Sequence, residues 1–224
     1  MAVAAVTTAL ATALSYLVPA SYAATAVGLA FLGATWWTVL RHRAADLAAW
    51  GLGLGGLTDA APLRAGRLLA EAGRACLFAL GAAALCFPPF WVGYRIYWQA
   101  SAPFVLKLPP SLLDEVLGQL LVIALPEEAF FRGYLQTALD RAWGWRRKLL
   151  GARLGWGWLV AAALFALGHY LTAPHPGRLA VFFPALLFGW LRARSGGVGA
   201  ALAFHALCNL FSATLARGYG FAAP

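Results

Sequence analysis

The chain has 224 residues, 62% of them hydrophobic and only 11% charged, with a formal net charge of +9. A soluble domain carries about 25% charged residues, so the composition excludes an ordinary water-soluble fold and points to a polytopic membrane protein, one membrane domain over residues 1–224. The positive balance does not make nucleic acid an expected partner, because Lys and Arg sit in short loops between apolar segments and not on a basic surface interleaved with aromatics.

Ala2 to Val18 is apolar and leads into Ala20-Ser21-Tyr22-Ala23, which has the form of a signal cleavage site. No Lys or Arg precedes the apolar run, as a signal peptide would require, and residues 3–19 are read as a first span. A second covers 22–40 and ends in Trp36-Trp37 followed by Arg41-His42-Arg43, an interfacial aromatic pair and a basic stop. Residues 44–74 are mixed: a Gly-rich apolar piece, then Asp59, Arg64, Arg67, Glu71 and Arg74. About 14 apolar residues are too few to span, which predicts a re-entrant or interfacial segment. Residues 75–99 are long enough for a third, tilted span, interrupted by Pro88-Pro89 and ending in Trp91, Tyr94, Tyr97 and Trp98.

The fourth helix has a readable start. Ser111 with Asp114 three residues on resembles a capping box, and Asp114 and Glu115 suit the positive end of the helix dipole. It runs to about Arg141, where Gly144 and Arg146, Arg147, Lys148 and Arg153 end it. A fifth helix is expected over 156–172, closed by Pro174 and Pro176, a sixth over 179–193, and a seventh over 198–216 after the turn Ser195-Gly196-Gly197. The fold class is therefore all-α, a polytopic transmembrane bundle of about seven spans plus the re-entrant segment. Residues 1–110 supply less characteristic N-terminal spans, and 111–217 form the helical core that carries the polar groups. With the N-terminus inside, Arg41, Arg43, Arg64, Arg67, Arg74, Arg141, Arg146, Arg147, Lys148, Arg153, Arg192 and Arg194 fall on the cytoplasmic side. Only Arg95, Lys107, Arg178 and Arg217 fall outside. A multi-pass protein of the inner, cytoplasmic membrane in contact with lipid is expected. Cys76, Cys86 and Cys208 lie in apolar segments without metal spacing and read as small buried hydrophobes.

Glu127, Glu128 and Arg132 stand inside the fourth apolar segment. A charge at the bilayer centre costs about 2.5–3.5 kcal/mol on insertion scales, so these residues need polar partners. At about 1.5 Å rise per residue, Glu127 lies roughly 18 Å above residue 139, His169 roughly 20 Å above residue 156, Asn209 about 18 Å above residue 197, and His205 about 12 Å above it. Three helices thus bring their polar groups into one slab, and no other strongly polar group of the later helices falls at that depth. Glu128 and Arg132 share a face at i,i+4, as do His205 and Asn209; Glu127, about 100° away, is the carboxylate left free. Phe165, four residues before His169, lays an aromatic face below the imidazole. A lone histidine in an apolar helix is more often a satisfied core residue, and a Glu–Arg pair alone is often structural. Four polar groups at one depth are much less often structural. His175, between two prolines, is expected to have no role, and Asp140 to pair with arginines at the helix end.

A carboxylate beside an imidazole can hold and deprotonate water, while a second imidazole and an amide can donate to the oxyanion formed when water attacks a carbonyl. Ser195 and Ser212 have no histidine within helical reach, and Cys208 points away from the His205/Asn209 face. Direct attack by water is the natural reading, with no metal and no other cofactor.

Glu127-Glu128-Ala-Phe-Phe-Arg132, Phe165-Ala-Leu-Gly-His169 and His205-Ala-Leu-Cys-Asn209 resemble the three motifs EExxxR, FxxxH and HxxxN/D of the CAAX-protease and bacteriocin-processing family of intramembrane endopeptidases. All three are intact and in order, and the resemblance covers about residues 110–216. It implies a glutamate-dependent protease with Glu127 as general base, His169 helping to hold the water, His205 and Asn209 as the oxyanion site, and Glu128 and Arg132 in support. The substrate would be a peptide or protein with a membrane-associated C-terminal segment, cut near that end or anchor. Phe182 to Asn209 resembles the myxosortase-like branch, which processes C-terminal anchors of surface proteins. Two other readings of the same residues stay open. One is a zinc-dependent protease with Glu127, His169 and His205 as ligands, although the chain lacks a His-Glu-x-x-His helix. The other is a non-enzymatic transporter or binding protein that uses the carboxylates and histidines as a relay.

Overall fold

The computed structural model describes residues 1–42, 47–58, 62–144 and 146–221; Arg43 and Asp59 lie outside them. Among the described residues the chain is an all-α bundle of seven long helices with one small hairpin. They are α1 (Ala2–Leu17), α2 (Ala20–Thr35, continued by a π-helical turn Trp36–Leu40), α3 (Ala65–Tyr97), α4 (112–143), α5 (Trp156–Thr172), α6 (Phe182–Ser195) and α7 (Gly199–Tyr219). By length and composition α2 with its π turn, α3 and α7 can each cross a membrane, while α1 and α5 are shorter apolar helices. An all-α bundle of membrane type is thus what the chain builds.

Helix α4 is the central rod. It alternates α-helical turns (Leu112–Leu117, Leu125–Glu128, Thr137–Trp143) with π-helical stretches (Gly118–Ala124, Ala129–Gln136). The Ser111 hydroxyl accepts from the Asp114 N–H at 3.3 Å and caps its start, as the capping-box pattern predicts. From Pro126 to Asp140 every residue except Glu127, Tyr134 and Ala138 is buried, because α2, α5, α6 and α7 surround this part of α4. Helix α3 lies at the periphery: 11% of its apolar window is buried in the bundle, against 39% for α7. The apolar core joins Phe130 and Phe131 of α4 to Phe31, Phe165, Phe188 and Phe204.

Several expectations are corrected. Helix α3 begins at Ala65, so Arg67, Glu71 and Arg74 belong to it and the re-entrant reading applies only up to residue 64. Its 33 residues, at about 1.5 Å each, exceed a hydrocarbon layer of about 30 Å, and the charged first turns extend beyond it into a polar zone. Pro88 and Pro89 do not interrupt α3. Each removes one N–H and leaves the carbonyls of Ala84 and Leu85 without a helical donor, a loss that membrane helices tolerate. Next, the basic segment after α4 is an antiparallel hairpin, β1 (Arg146–Leu149) with β2 (Ala152–Gly155), in the register Arg146↔Gly155 and Lys148↔Arg153. Its turn places Leu150 and Gly151 at positive φ, 46° and 81°, the requirement of a type I′ turn. Last, Cys76 is exposed, and Cys86 and Cys208 are only half-buried.

Residues 47–58 tuck against one end of the bundle. Leu52 packs with Val39, Ala129 and Val198, and a Cβ on Gly133 would come within 2.6 Å of a Leu52 methyl. The Gly51 carbonyl accepts from the Val198 N–H at 2.9 Å, which ties this segment to the start of α7.

Asp140 does not form the expected helix-end pair. Its Oδ1 accepts from the Gly157 N–H at 3.0 Å, capping the first turn of α5 from a neighbouring helix, where free N–H groups need an acceptor. A Cβ on Gly157 would lie 2.6 Å from that oxygen and 2.6 Å from the Gln136 carbonyl. Gly157→Ala is therefore expected to lower stability by about 1–3 kcal/mol, the cost of overpacking, read as a lower unfolding midpoint in detergent. His175, expected to be idle, has a structural job: its Nδ1 accepts from the Gly177 N–H at 3.1 Å and caps the 3₁₀ turn Pro176–Val181.

Candidate active site

The site forms where α4, α5, α6 and α7 meet around Phe165 and Phe188. Glu128 is fully buried, and its Oε1 accepts two hydrogen bonds, from Arg132 Nη1 at 3.0 Å and from His205 Nδ1 at 2.9 Å. The Arg132 guanidinium also donates through Nη2 to the Ala185 carbonyl of α6 at 3.2 Å. Its carbon lies 4.4 Å from the centroid of the Phe165 ring and 5.0 Å from that of Phe188. A buried cation so placed has a counter-charge, a carbonyl and two aromatic faces, which together offset its desolvation. The i,i+4 pairing of Glu128 with Arg132 survives the π-helical stretch, because a five-residue ring still leaves residues four apart on one side.

Glu127 differs from its neighbour. Its side chain is 13% exposed, and its Oε2 lies 3.7 Å from His205 Nε2. That is within ion-pair range but beyond a hydrogen bond, and Oε2 is buried without a hydrogen-bond partner. His205 thus stands between the two carboxylates, with Nδ1 committed to Glu128 and Nε2 directed at Glu127. Its ring stacks on Phe188 at 4.7 Å and meets Phe165 edge-on at 5.8 Å.

His169 approaches from α5. Its Nδ1 donates to the Phe165 carbonyl at 3.0 Å, which fixes the tautomer and leaves Nε2 as an acceptor. The imidazole sits 4.4 Å from the Phe165 ring and within electrostatic range of Glu127 and His205. The backbone and the ring of Phe165 therefore orient one histidine and wall the other.

Asn209 has a partner that depth counting did not supply: its Nδ2 donates to Gln119 Oε1 at 2.8 Å. One helical turn, about 6 Å, carries Asn209 past His205 along α7, and the long Gln119 side chain meets it from α4. Gln119 was missed, although a polar residue two turns before Glu127 on the same helix was a readable signal. One of the two Asn209 N–H bonds is engaged in this contact, and among the described residues the other has no hydrogen-bond partner.

Among the described residues no group of three or more His, Cys, Asp or Glu side chains is disposed to hold a metal ion.

Residues 109–211 match the family model described as type II CAAX prenyl endopeptidase Rce1-like. The helical core, residues 109–211, belongs to that family. The match spans α4 to most of α7 and so takes in all the polar groups described above. No curated protein and no solved structure matches the chain. The match over residues 109–211, with the apolar helical bundle, supports a CAAX-protease-like peptidase of the membrane.

Proposed function

We propose that this Rce1-like protein is an intramembrane endopeptidase of the glutamic type, in which Glu127 and His169 activate a water molecule against a peptide carbonyl. One observation carries the reading. Glu127 Oε2 is a buried carboxylate oxygen with no hydrogen-bond partner, as is Glu128 Oε2; but the Glu128 side chain is sealed and its Oε1 is taken by Arg132 and His205, whereas the Glu127 side chain is 13% exposed and open to a ligand. An unpartnered acceptor of this kind costs about 1–3 kcal/mol and is retained where a ligand satisfies it.

Glu127 Oε2 and His169 Nε2 are both acceptors, so a water between them donates both hydrogens and turns its lone pair toward the substrate. Attack on the carbonyl carbon passes one water proton to Glu127 and leaves an oxyanion. The free N–H of Asn209 donates to that oxygen. His205, held through Nδ1 by Glu128 with Nε2 facing Glu127, lines the same pocket as the second group at the oxyanion. Collapse of the intermediate breaks the C–N bond, the amine takes the proton from Glu127, and the carboxylate is restored.

The substrate of this reading is a protein tail held at the membrane, cut near its C-terminal end or anchor, and the enzyme resides in the inner membrane with the basic end of the bundle in the cytoplasm. The test uses purified protein in proteoliposomes with prenylated and unprenylated C-terminal peptides, products being identified by mass. Cleavage at one bond is expected to persist after chelation and dialysis and to fall about 10²–10⁴-fold in His169→Ala, the range for loss of a general acid–base partner. Loss of activity on chelation with recovery on added zinc would favour the metalloprotease, and full activity of His169→Ala would remove the histidine from the mechanism.

A further inference from the structure

A second polar constellation lies away from the carboxylate pair, at the end of the bundle where α4 and α6 finish and the hairpin folds back. A cavity of about 190 Å³ there is lined by Thr137, Asp140, Arg141, Arg146, Arg153 and Arg192. Among the described residues four arginines thus face one carboxylate, and Asp140 spends Oδ1 on the Gly157 N–H.

The arginines are held in place without being neutralised. Arg141 lies over the Trp50 ring at 4.2 Å and donates to the Ala49 carbonyl at 3.2 Å. Arg192 Nη2 donates to the Thr137 hydroxyl at 2.8 Å, while its Nε is buried with no partner. Among the described residues the guanidinium groups of Arg146 and Arg153 make no hydrogen bond or ion pair; Arg146 feels Asp140 only as a longer-range charge. The hairpin register puts these two on one face, since Arg146 alternates with Lys148 and Lys148 is paired with Arg153. The other face buries Ala152 and Leu154, and the Trp190 indole fastens the strand by donating to the Leu149 carbonyl at 3.2 Å.

We infer that this cavity binds a phosphate group, either as the headgroup of an anionic phospholipid or as free phosphate. Guanidinium forks match the oxygens of a phosphate in paired hydrogen bonds, and an excess of three positive charges needs an anion of more than one acceptor oxygen. Basic pockets between the ends of membrane helices are suited to lipid phosphates. The exposed Leu149 and Leu150 at the hairpin turn, and the exposed Trp143 and Trp156 at its open end, add apolar surface of the kind that sits at the headgroup level.

The test measures thermal unfolding and native mass spectra of the full-length protein in neutral detergent, titrated with phosphatidylglycerol, phosphatidylcholine or inorganic phosphate. Arg146→Gln/Arg153→Gln is compared with Arg64→Gln/Arg74→Gln, which removes the same charge elsewhere at the same end of the bundle. Both pocket residues are exposed and unpartnered, so the first variant is expected to fold. A saturable rise in midpoint with phosphatidylglycerol, retained in the control and weakened at least tenfold in apparent affinity in the pocket variant, supports the site. If inorganic phosphate competes with the lipid, the pocket takes free phosphate as well; if it does not, the lipid headgroup is the ligand. No saturable response to either, or an equal loss in both double variants, overturns the proposal.

Discussion

Glu127→Gln is expected to reduce peptide hydrolysis by about 10²–10⁴-fold, the usual contribution of a general base, with little change in unfolding midpoint. Glutamine keeps the shape of the side chain but replaces one carboxylate oxygen with a donor and removes the capacity to take a proton. Stability should be spared because Glu127 Oε2 makes no hydrogen bond in the folded protein. Glu128→Gln should do the reverse in emphasis. It leaves the positive charge of Arg132 buried, and breaking a buried pair by removing one partner costs about 3–5 kcal/mol. The paired measurement, turnover of a C-terminal peptide beside thermal unfolding in the same detergent, separates the two roles. Equal activity loss and equal destabilisation in both variants would contradict the division of labour between these adjacent carboxylates.

Arg132→Met should be among the most destabilising single substitutions in the chain, by about 3–5 kcal/mol. The guanidinium is 1% exposed and joins Glu128 on its own helix to the Ala185 carbonyl on α6. Methionine fills part of the volume but leaves Glu128 with His205 as its sole partner and the Ala185 carbonyl without this donor. Arg132→Lys should recover only part of the loss, because one ammonium cannot reproduce the planar fork that serves two acceptors and lies against two rings. Glu128→Met/Arg132→Met should be more stable than Arg132→Met alone, since the uncompensated charge is gone. A double variant no more stable than Arg132→Met would show that the cost comes from packing against Phe165 and Phe188 and not from the ion pair.

The basic ends of the helices are informative in the same way as the motif residues: both were readable as charge in an apolar chain, yet their partners were not. Ser111 as a cap and Glu128 with Arg132 follow from spacing along one helix and hold in the structure. The breaks were harder. Pro88-Pro89 reads as an interruption by local rules, but α3 runs through both, since a lost helical hydrogen bond at each proline is small beside the requirement that the rest of the backbone stay helical in lipid. The hairpin after α4 was hidden because a four-residue strand of Arg, Arg, Lys and Leu carries no strand-like alternation; its pairing with Ala152–Gly155 and the seat on α6 create it.

What the sequence determined by itself was the class of protein and the helices that bear the polar groups: apolar runs of spanning length, basic residues at their ends, and three motifs in order. The tertiary structure decided which atoms face one another. It gave Glu128 to Arg132 and His205, left Glu127 Oε2 without a hydrogen bond, brought Gln119 to Asn209, and turned Asp140 toward the first turn of α5. Spacing along a helix fixes direction about its own axis, but contact between helices depends on their relative height and rotation. Those are set by packing across the bundle, where a single turn is enough to exchange one hydrogen-bond partner for another.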